Sequence, residues 1–178
     1  EEYEKIQIDR SNSKFRYNKL RIKEVESFKK ILNLHNCDIK NIVCLGSRNG
    51  TEVDYFRINF FSNNFFLNLF KFTEIRRFGY FPLLKFFLKF NRSNKNFLTT
   101  NKYNVLGNDI NPLSERKDTI VCSFDKFEEK YYNQFDLIYT NSFDQSFDPH
   151  KSLKEWDKLL KKNGFLILGF GEGPPTIT

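Results

Sequence analysis

Two glycines bracket a short loop that directly follows an apolar run, in the stretch NIVCLGSRNG at residues 41–50. Gly46 would let the backbone approach a ligand without a Cβ in between, and Gly50 could supply an unusual φ or a close helix contact. A helix starting near Thr51 would direct unpaired N–H groups and the positive end of its dipole toward an anion. The loop therefore indicates a site for an anionic ligand, with an ordinary tight turn as the alternative.

A carboxylate near the end of a second apolar run could complete such a site. Asp109 lies near the end of the run at residues 103–110, which Pro112 prevents from continuing as a strand. A carboxylate has two oxygens and can accept hydrogen bonds from both hydroxyls of a ribose. The alternative is a turn-forming aspartate that bonds its own backbone.

Three ionisable side chains follow another apolar run, at residues 135–140, and are candidates for a general base. A base is needed where the proton of an acceptor hydroxyl must leave. Asp148 precedes Pro149 and is better explained as a helix N-cap. His150 would lie in the first helical turn, where a lone histidine is usually solvated. Asp144 is therefore the candidate base, and no residue spacing predicts a metal site.

The apolar runs that position these residues predict an α/β fold with a mainly parallel sheet. They are separated by helices or long connections and show little two-residue alternation. Strands are predicted at 41–45, 103–110, 119–122, 135–140 and 165–170, and helices at 18–34, from about 51 and at 149–162. Residues 1–16 are polar and lack periodicity, so we interpret them as a loose N-terminal arm of a single domain spanning residues 1–178.

The connection between Gly50 and Asp109 is much longer than the roughly 20 residues usual in a nucleotide-binding unit. The excess, at about residues 56–100, is here called the Phe-rich insert. It should hold one or two additional helices, with breaks near Gly79 and Pro82. Its role is open among a lid, a peripheral membrane contact, a dimer surface and a packed elaboration of the core.

Composition bounds the partners and the compartment. The formal net charge of +7 favours polyanions such as nucleic acid, although the lysines are spread along the chain as on a solvated surface. Cys37, Cys44 and Cys122 cannot all pair with one another, which suits a reducing compartment. There is no N-terminal signal and no run of about 18 uncharged apolar residues, so a cytoplasmic location is predicted.

Taken in order, five stretches resemble a class I S-adenosylmethionine-dependent methyltransferase. They are NIVCLGSRNGTEV, YNVLGNDINP, TIVCSFDKF, FDLIYTNSFDQSFDP and LKEWDKLLKKNGFLIL. The resemblance covers about residues 39–170 without the insert. GNDINP is similar to the acidic end of the family's second strand, and LLKKNGFLIL to the turn into its fifth. The resemblance implies a Rossmann-like sheet flanked by helices, with a truncation after the fifth strand left open.

The resemblance also implies S-adenosylmethionine as cofactor and assigns residues to it. The ribose would lie on Asp109, the methionine moiety near Gly46 and Gly50, and the adenine against the loop after the third strand. The cofactor-binding residues so implied are Gly46, Ser47, Arg48, Asn49, Gly50, Asp109, Ile110, Ser123, Phe124, Asp125 and Asn141. The substrate mouth would include Ser142 and Asp144.

The first motif departs from the family pattern at two positions. Cys44 stands where the family usually has an acidic residue, which removes a partner for the cofactor's amino group. Arg48 stands where the family has a middle glycine, and its side chain would either point away or pair with the cofactor's carboxylate. Glu52, three residues after Asn49, is interpreted as half of a helix-capping arrangement.

The loop after the third strand departs as well. Ser123 occupies the place of the family's adenine-binding acid. Phe124 could stack on the adenine and Asp125 could replace the acid, unless the alignment is shifted by two residues. The Asn141-Ser142 pair also differs from the signature of enzymes that methylate amino groups.

These observations together predict a methyltransferase that acts on a small-molecule or glycan acceptor, at oxygen. One alternative is an inactive methyltransferase-like binding module, which the replaced acid at Cys44 favours. The other is an RNA methyltransferase, which only the basic charge favours. The sequence contains no appended RNA-binding motif and no concentrated basic stripe. It does not determine the oligomeric state.

Overall fold

The structure, a computed structural model, describes residues 2–13, 20–61 and 104–169. The helices in these ranges are α1 (Glu2–Ser13), α2 (Ile22–Leu34), α3 (Thr51–Phe61) and α4 (Pro149–Leu159). The strands are β1 (Asn41–Leu45), β2 (Asn104–Asp109), β3 (Thr119–Val121), β4 (Phe135–Thr140) and β5 (Leu160–Leu168). No helix in these three ranges is both long and apolar enough to cross a lipid bilayer.

The five strands form one sheet in the order β3-β2-β1-β4-β5, and every neighbouring pair is parallel. The chain first builds outward from β1 to β3 and then returns to add β4 on the other side of β1. Strand order therefore reverses between β1 and β4, which makes this the topological switch point of the sheet. The predicted Rossmann-like α/β fold with a parallel sheet flanked by helices is confirmed.

Both faces of the sheet are covered, which explains the continuous apolar character of the central strands. On one face, Cys44 and Tyr139 pack with Val25 of α2 and Phe56 of α3. The opposite face buries a second cluster, which includes Val43, Leu45, Ile138, Trp156 and Leu159. Alternate residues of β1 thus point to opposite sides, and its carboxyl end is held rigidly between two cores.

The last helix ends earlier than predicted. The pattern indicated a helix at 149–162, but α4 ends at Leu159 because Leu160 already pairs with Phe135 of β4. The next pair along the same ladder is Leu137 with Phe165, so the intervening residues form a bulge. Asn163 within this bulge has a φ of 65°, a left-handed conformation that asparagine tolerates. Residue 170, the end of the predicted fifth strand, lies outside the described residues.

The prediction of a loose N-terminal arm was wrong for residues Glu2–Ser13, which form α1. This helix has no apolar stripe, so apolar periodicity could not predict it. Its inner face is instead polar: Gln7 and Ser11 are buried, and Tyr3 lies one turn before them. Residues four apart share a helix face, so these side chains form one polar stripe.

The first residues assigned to the Phe-rich insert belong to α3, which extends to Phe61. Phe56 and Ile58 are fully buried and pack into the core. The helix thus accounts for the start of the long connection. The rest of the insert, including the predicted breaks near Gly79 and Pro82, lies outside the described residues.

Candidate functional site

A crevice opens at the carboxyl ends of β1, β2 and β4, at the switch point of the sheet. Its volume is about 420 Å³, including the part that is open to solvent. The predicted site residues that line it are Gly46, Arg48, Asp109, Ile110, Ser123, Phe124 and Ser142. Tyr3, Gln7, Ser11 and Gln145 complete the lining. Five separate segments of the chain therefore meet where open parallel sheets bind ligands.

The loop after β1 has a backbone that glycine favours at three positions. Gly46, Arg48 and Gly50 have φ values of 71°, 44° and 74°. A Cβ at Gly46 would lie 2.7 Å from Ser142 Oγ, and one at Gly50 would overlap the Arg116 guanidinium. The two glycines are thus required by close packing as well as by φ. Arg48 keeps the glycine-like conformation at a cost of about 1 to 3 kcal/mol.

Three other residues of this loop hold its shape instead of lining the crevice. Ser47 N donates to Asn108 O at 2.8 Å and fastens the loop to β2. Asn49 Oδ1 accepts from Thr51 N at 3.1 Å and caps the first turn of α3. Arg116 Nη1 donates to Asn49 O at 2.9 Å, passing beneath Gly50. Ser47, Asn49 and Gly50 therefore preorganise the loop that Gly46 and Arg48 present.

Asp109 connects three of the segments that line the crevice through hydrogen bonds. Its Oδ2 accepts from Arg48 N at 2.9 Å, and its Oδ1 accepts from Asn111 N at 2.9 Å. Ser11 Oγ also donates to Oδ1, at 3.3 Å. The bond to Asn111 is the local turn that was the alternative interpretation of Asp109. Asp109 thus forms the turn and faces the crevice at the same time.

Helix α1 covers the crevice with its polar stripe. The Tyr3 hydroxyl donates to Gln145 O, and Gln7 Nε2 donates to the same carbonyl at 3.5 Å. Asn111 Nδ2 donates to Asn12 Oδ1 at 2.6 Å. The sequence reasoning missed these α1 residues because it sought apolar periodicity. Polar residues spaced four apart were the signal that could have found them.

The loop after β3 contributes an aromatic wall. Phe124 packs edge-on against Trp156 at 5.8 Å between ring centroids, and Trp156 Nε1 donates to Phe124 O at 2.6 Å. Asp125 is turned toward α4, where its carboxylate pairs with Lys151 Nζ at 3.1 Å. Burial raises the pKa of Asp125, but hydrogen bonds from Ser123 and Lys151 outweigh it and keep the pKa below its ordinary value.

The segment after β4 is divided between the crevice and the solvent. Ser142 is buried and lines the crevice, whereas Asp144 is exposed in the turn Phe143–Gln145 and is not part of the lining. Asp148 Oδ1 accepts from Lys151 N at 3.0 Å, so the predicted helix N-cap is confirmed. His150 is exposed, as expected. The structure therefore does not bring Asp144 to the other predicted site residues.

Glu52 is a buried carboxylate beside this site, and its interpretation as a helix cap was wrong. Its Oε1 accepts from Asn141 Nδ2 at 2.7 Å instead of reaching back to the loop. Burial raises the pKa of Glu52 to about 7, against the opposing effects of Arg48 and the Asn141 hydrogen bond. Burial also raises the pKa of the Cys44 thiol, and the charge of nearby Glu52 adds to this effect. The Glu52 carboxylate thus lies near Cys44, the position at which an acidic residue is replaced by cysteine.

The comparisons with known proteins gave matches among solved structures alone. No protein-family model matches the chain. No match was found among curated proteins. A solved structure described as a SAM-dependent methyltransferase from Aquifex aeolicus is similar at 14% identity, with a TM-score of 0.41, over 88% of this chain and 79% of that one. At so low a TM-score, the fold is assigned from the strand order alone.

Proposed function

We propose that the chain is an S-adenosylmethionine-dependent methyltransferase. One observation carries the proposal: the Asp109 carboxylate is hydrogen-bonded to the Gly46–Gly50 loop at Arg48 N, and both line a crevice at the topological switch point. Ligands of open parallel sheets bind there, with an acidic residue near the end of the second strand for a ribose. The ordered sequence motifs agree with this arrangement.

The residues present fit this cofactor. Asp109 is bonded to two backbone N–H groups, and its Oδ2 has a second lone pair for a ribose hydroxyl. The second lone pair of Oδ1 is used by Ser11 Oγ, which a ribose hydroxyl would have to replace. Gly46 leaves no side chain between the loop and a ligand, and the N-terminus of α3 follows directly. Phe124 offers an aromatic surface for the adenine. The bound cofactor would supply the electrophilic methyl group.

For the acceptor, we propose a hydroxyl of a small molecule or a glycan. Methyl transfer depends largely on positioning and on the exclusion of water, which a crevice covered by a helix can supply. A hydroxyl acceptor also needs a base. Asp144 is exposed, so it could act as the base only for an acceptor bound at the outer mouth of the crevice.

A second candidate is a methyltransferase-like binding module without activity. The observation that favours it is the hydrogen bond from Ser11 to Asp109, which already uses the proposed ribose acceptor. The cytoplasmic location that we propose suits both candidates, because Cys37, Cys44 and Cys122 are all free thiols.

Calorimetric titration with S-adenosylmethionine and S-adenosylhomocysteine tests the proposal. We expect binding by the wild type and at least a tenfold loss of affinity in Asp109→Ala, because a ribose hydroxyl would lose a charged acceptor. Glu115→Ala is the matched control, since Glu115 is an exposed acid in the turn that follows β2. Absence of binding at millimolar concentrations would refute the proposed activity, and equal affinities of the two variants would refute the role of Asp109.

A further inference from the structure

Glu52 carries a carboxylate oxygen that has no partner. The residue lies in the first turn of α3 and is only 5% exposed. Asn141 Nδ2 holds Oε1 at 2.7 Å, whereas Oε2 is buried and accepts no hydrogen bond from any residue in the described ranges. A buried ionised group is stable only when it is paired and hydrogen-bonded. This oxygen therefore lacks the donor or cation that its burial requires.

A short chain of hydrogen bonds connects this carboxylate to the wall of the crevice. Ser142 Oγ, which lines the crevice, donates to Asn141 Oδ1 at 3.2 Å, and Asn141 in turn donates to Glu52. Ser142 also packs closely against Gly46. A Cβ added at Gly46 would lie only 2.7 Å from the hydroxyl oxygen of Ser142. Glu52 is thus fixed directly behind the loop that follows β1.

The surroundings of Glu52 favour both charged groups of an amino acid, the carboxylate and the ammonium. The N-terminus of α3 and the loop before it favour an anion, because the first N–H groups of a helix have no partner within it. The unpartnered oxygen of Glu52, one residue into the same helix, favours a cation. A ligand group that carries a carboxylate and an ammonium on one carbon would satisfy both.

We propose that Glu52 binds the α-ammonium group of the cofactor's amino-acid end. Helix α3 would in this way supply the carboxylate that Cys44 cannot offer at the end of β1. The nearby Asn141 serves as a positioning residue, since it orients one oxygen of Glu52 and leaves the other for the ligand. This assignment rests on the proposed function and names the residue that recognises one group of its cofactor.

A comparison of two ligands tests the assignment. Affinities of S-adenosylhomocysteine and of its des-amino analogue are measured by calorimetry for the wild type, Glu52→Gln and the control Glu115→Gln. We expect the wild type and the control to prefer S-adenosylhomocysteine at least tenfold. Glu52→Gln should lose this preference while binding the des-amino analogue within about twofold of the wild type, because only the ammonium contact is removed.

The possible outcomes distinguish failure of the assignment from failure of the proposed function. An equal loss for both ligands would give Glu52 a structural role and overturn the assignment. Retention of the preference in Glu52→Gln would also overturn it. Failure of the wild type to bind either ligand would refute the proposed function and the assignment together. Binding of both ligands by the wild type without a preference would refute the assignment alone.

The wild type alone supplies a second measurement if Glu52→Gln does not fold. The preference should decrease as the pH falls below about 7 and Glu52 becomes protonated. Two charged side chains nearby also affect the pKa of Glu52: Arg48 lowers it and Asp109 raises it. Burial raises the pKa of Cys44 and of Tyr139, so both stay neutral over this range. A preference that does not change with pH would overturn the assignment.

Discussion

The hydroxyl of Ser11 in α1 donates a hydrogen bond to Asp109 at the end of β2, with 3.3 Å between Oγ and Oδ1. A helix at the N-terminal end of the chain thus places a hydroxyl on the carboxylate that we propose for the cofactor ribose. Asn111 Nδ2 reinforces this contact by donating to the same Ser11 oxygen at 3.3 Å. The Ser11 hydroxyl of α1 and a ribose hydroxyl of the cofactor would therefore compete for the Asp109 carboxylate.

Replacement of Ser11 by alanine should therefore strengthen cofactor binding. We expect the affinity for S-adenosylhomocysteine to rise about two- to fivefold, because a hydrogen bond of about 0.5 to 1 kcal/mol no longer competes with the ribose. Titration calorimetry measures the change, with Ser13→Ala as the control because the Ser13 hydroxyl donates to Arg10 O within the same helix. A weaker affinity in Ser11→Ala would mean that Ser11 assists binding instead.

Removal of the Glu52 charge should stabilise the ligand-free protein at alkaline pH. Its folded-state pKa, about 7, is above the ordinary value of 4.5, so the folded state binds the proton more tightly. The stability that this gives is fully present below pH 4.5 and is lost as the pH rises through 7. Glu52→Gln, which cannot ionise, should exceed the wild type in free energy of unfolding by about 3 kcal/mol at alkaline pH.

Urea unfolding of both proteins across this range checks the prediction. The difference between variant and wild type should be close to zero near pH 4.5 and should increase steadily until the pH is well above 7. A constant difference would mean that the carboxylate is not buried in the ligand-free protein. Such a trade of stability for a charged group is common at functional sites.

Arg48 should combine backbone strain with a binding role. Arg48→Gly at a φ of 44° should raise the free energy of unfolding by about 1 kcal/mol, since glycine adopts this conformation without strain. The same variant should lose about fivefold or more in cofactor affinity if the guanidinium pairs with the cofactor carboxylate. Arg48→Lys keeps the charge and should retain part of that affinity. Unchanged affinity in Arg48→Gly would show that the side chain points away.

A side chain at Gly50 should disrupt the support of the loop. A Cβ there would overlap the Arg116 guanidinium, which bonds Asn49 O and also pairs with Asp54 and Asp118 at 3.2 and 2.9 Å. We expect Gly50→Ala to lower the free energy of unfolding by at least about 2 kcal/mol through overpacking and strain. In the double variant with Arg116→Ala the two losses should not add, because the overlap disappears. Additive losses in urea unfolding would contradict this packing.

The sequence by itself determined the parts that depend on local patterns. The bounds of β1 and β4 were predicted to the residue, because an apolar run that ends at a turn has few alternatives once both faces are buried. The glycines of the first loop and the capping role of Asp148 also follow from local backbone chemistry. These features need no knowledge of distant partners.

Only the tertiary structure decided where the polar side chains found their partners. Glu52 could have capped its own helix, but it bonds Asn141, 89 positions away in the chain. Asp125 likewise turns to Lys151 instead of the crevice. The stripe of α1 is recognisable only once the crevice that it covers exists. Polar groups have several partners of similar energy within reach, so the packing of distant segments chooses among them, which local periodicity does not encode.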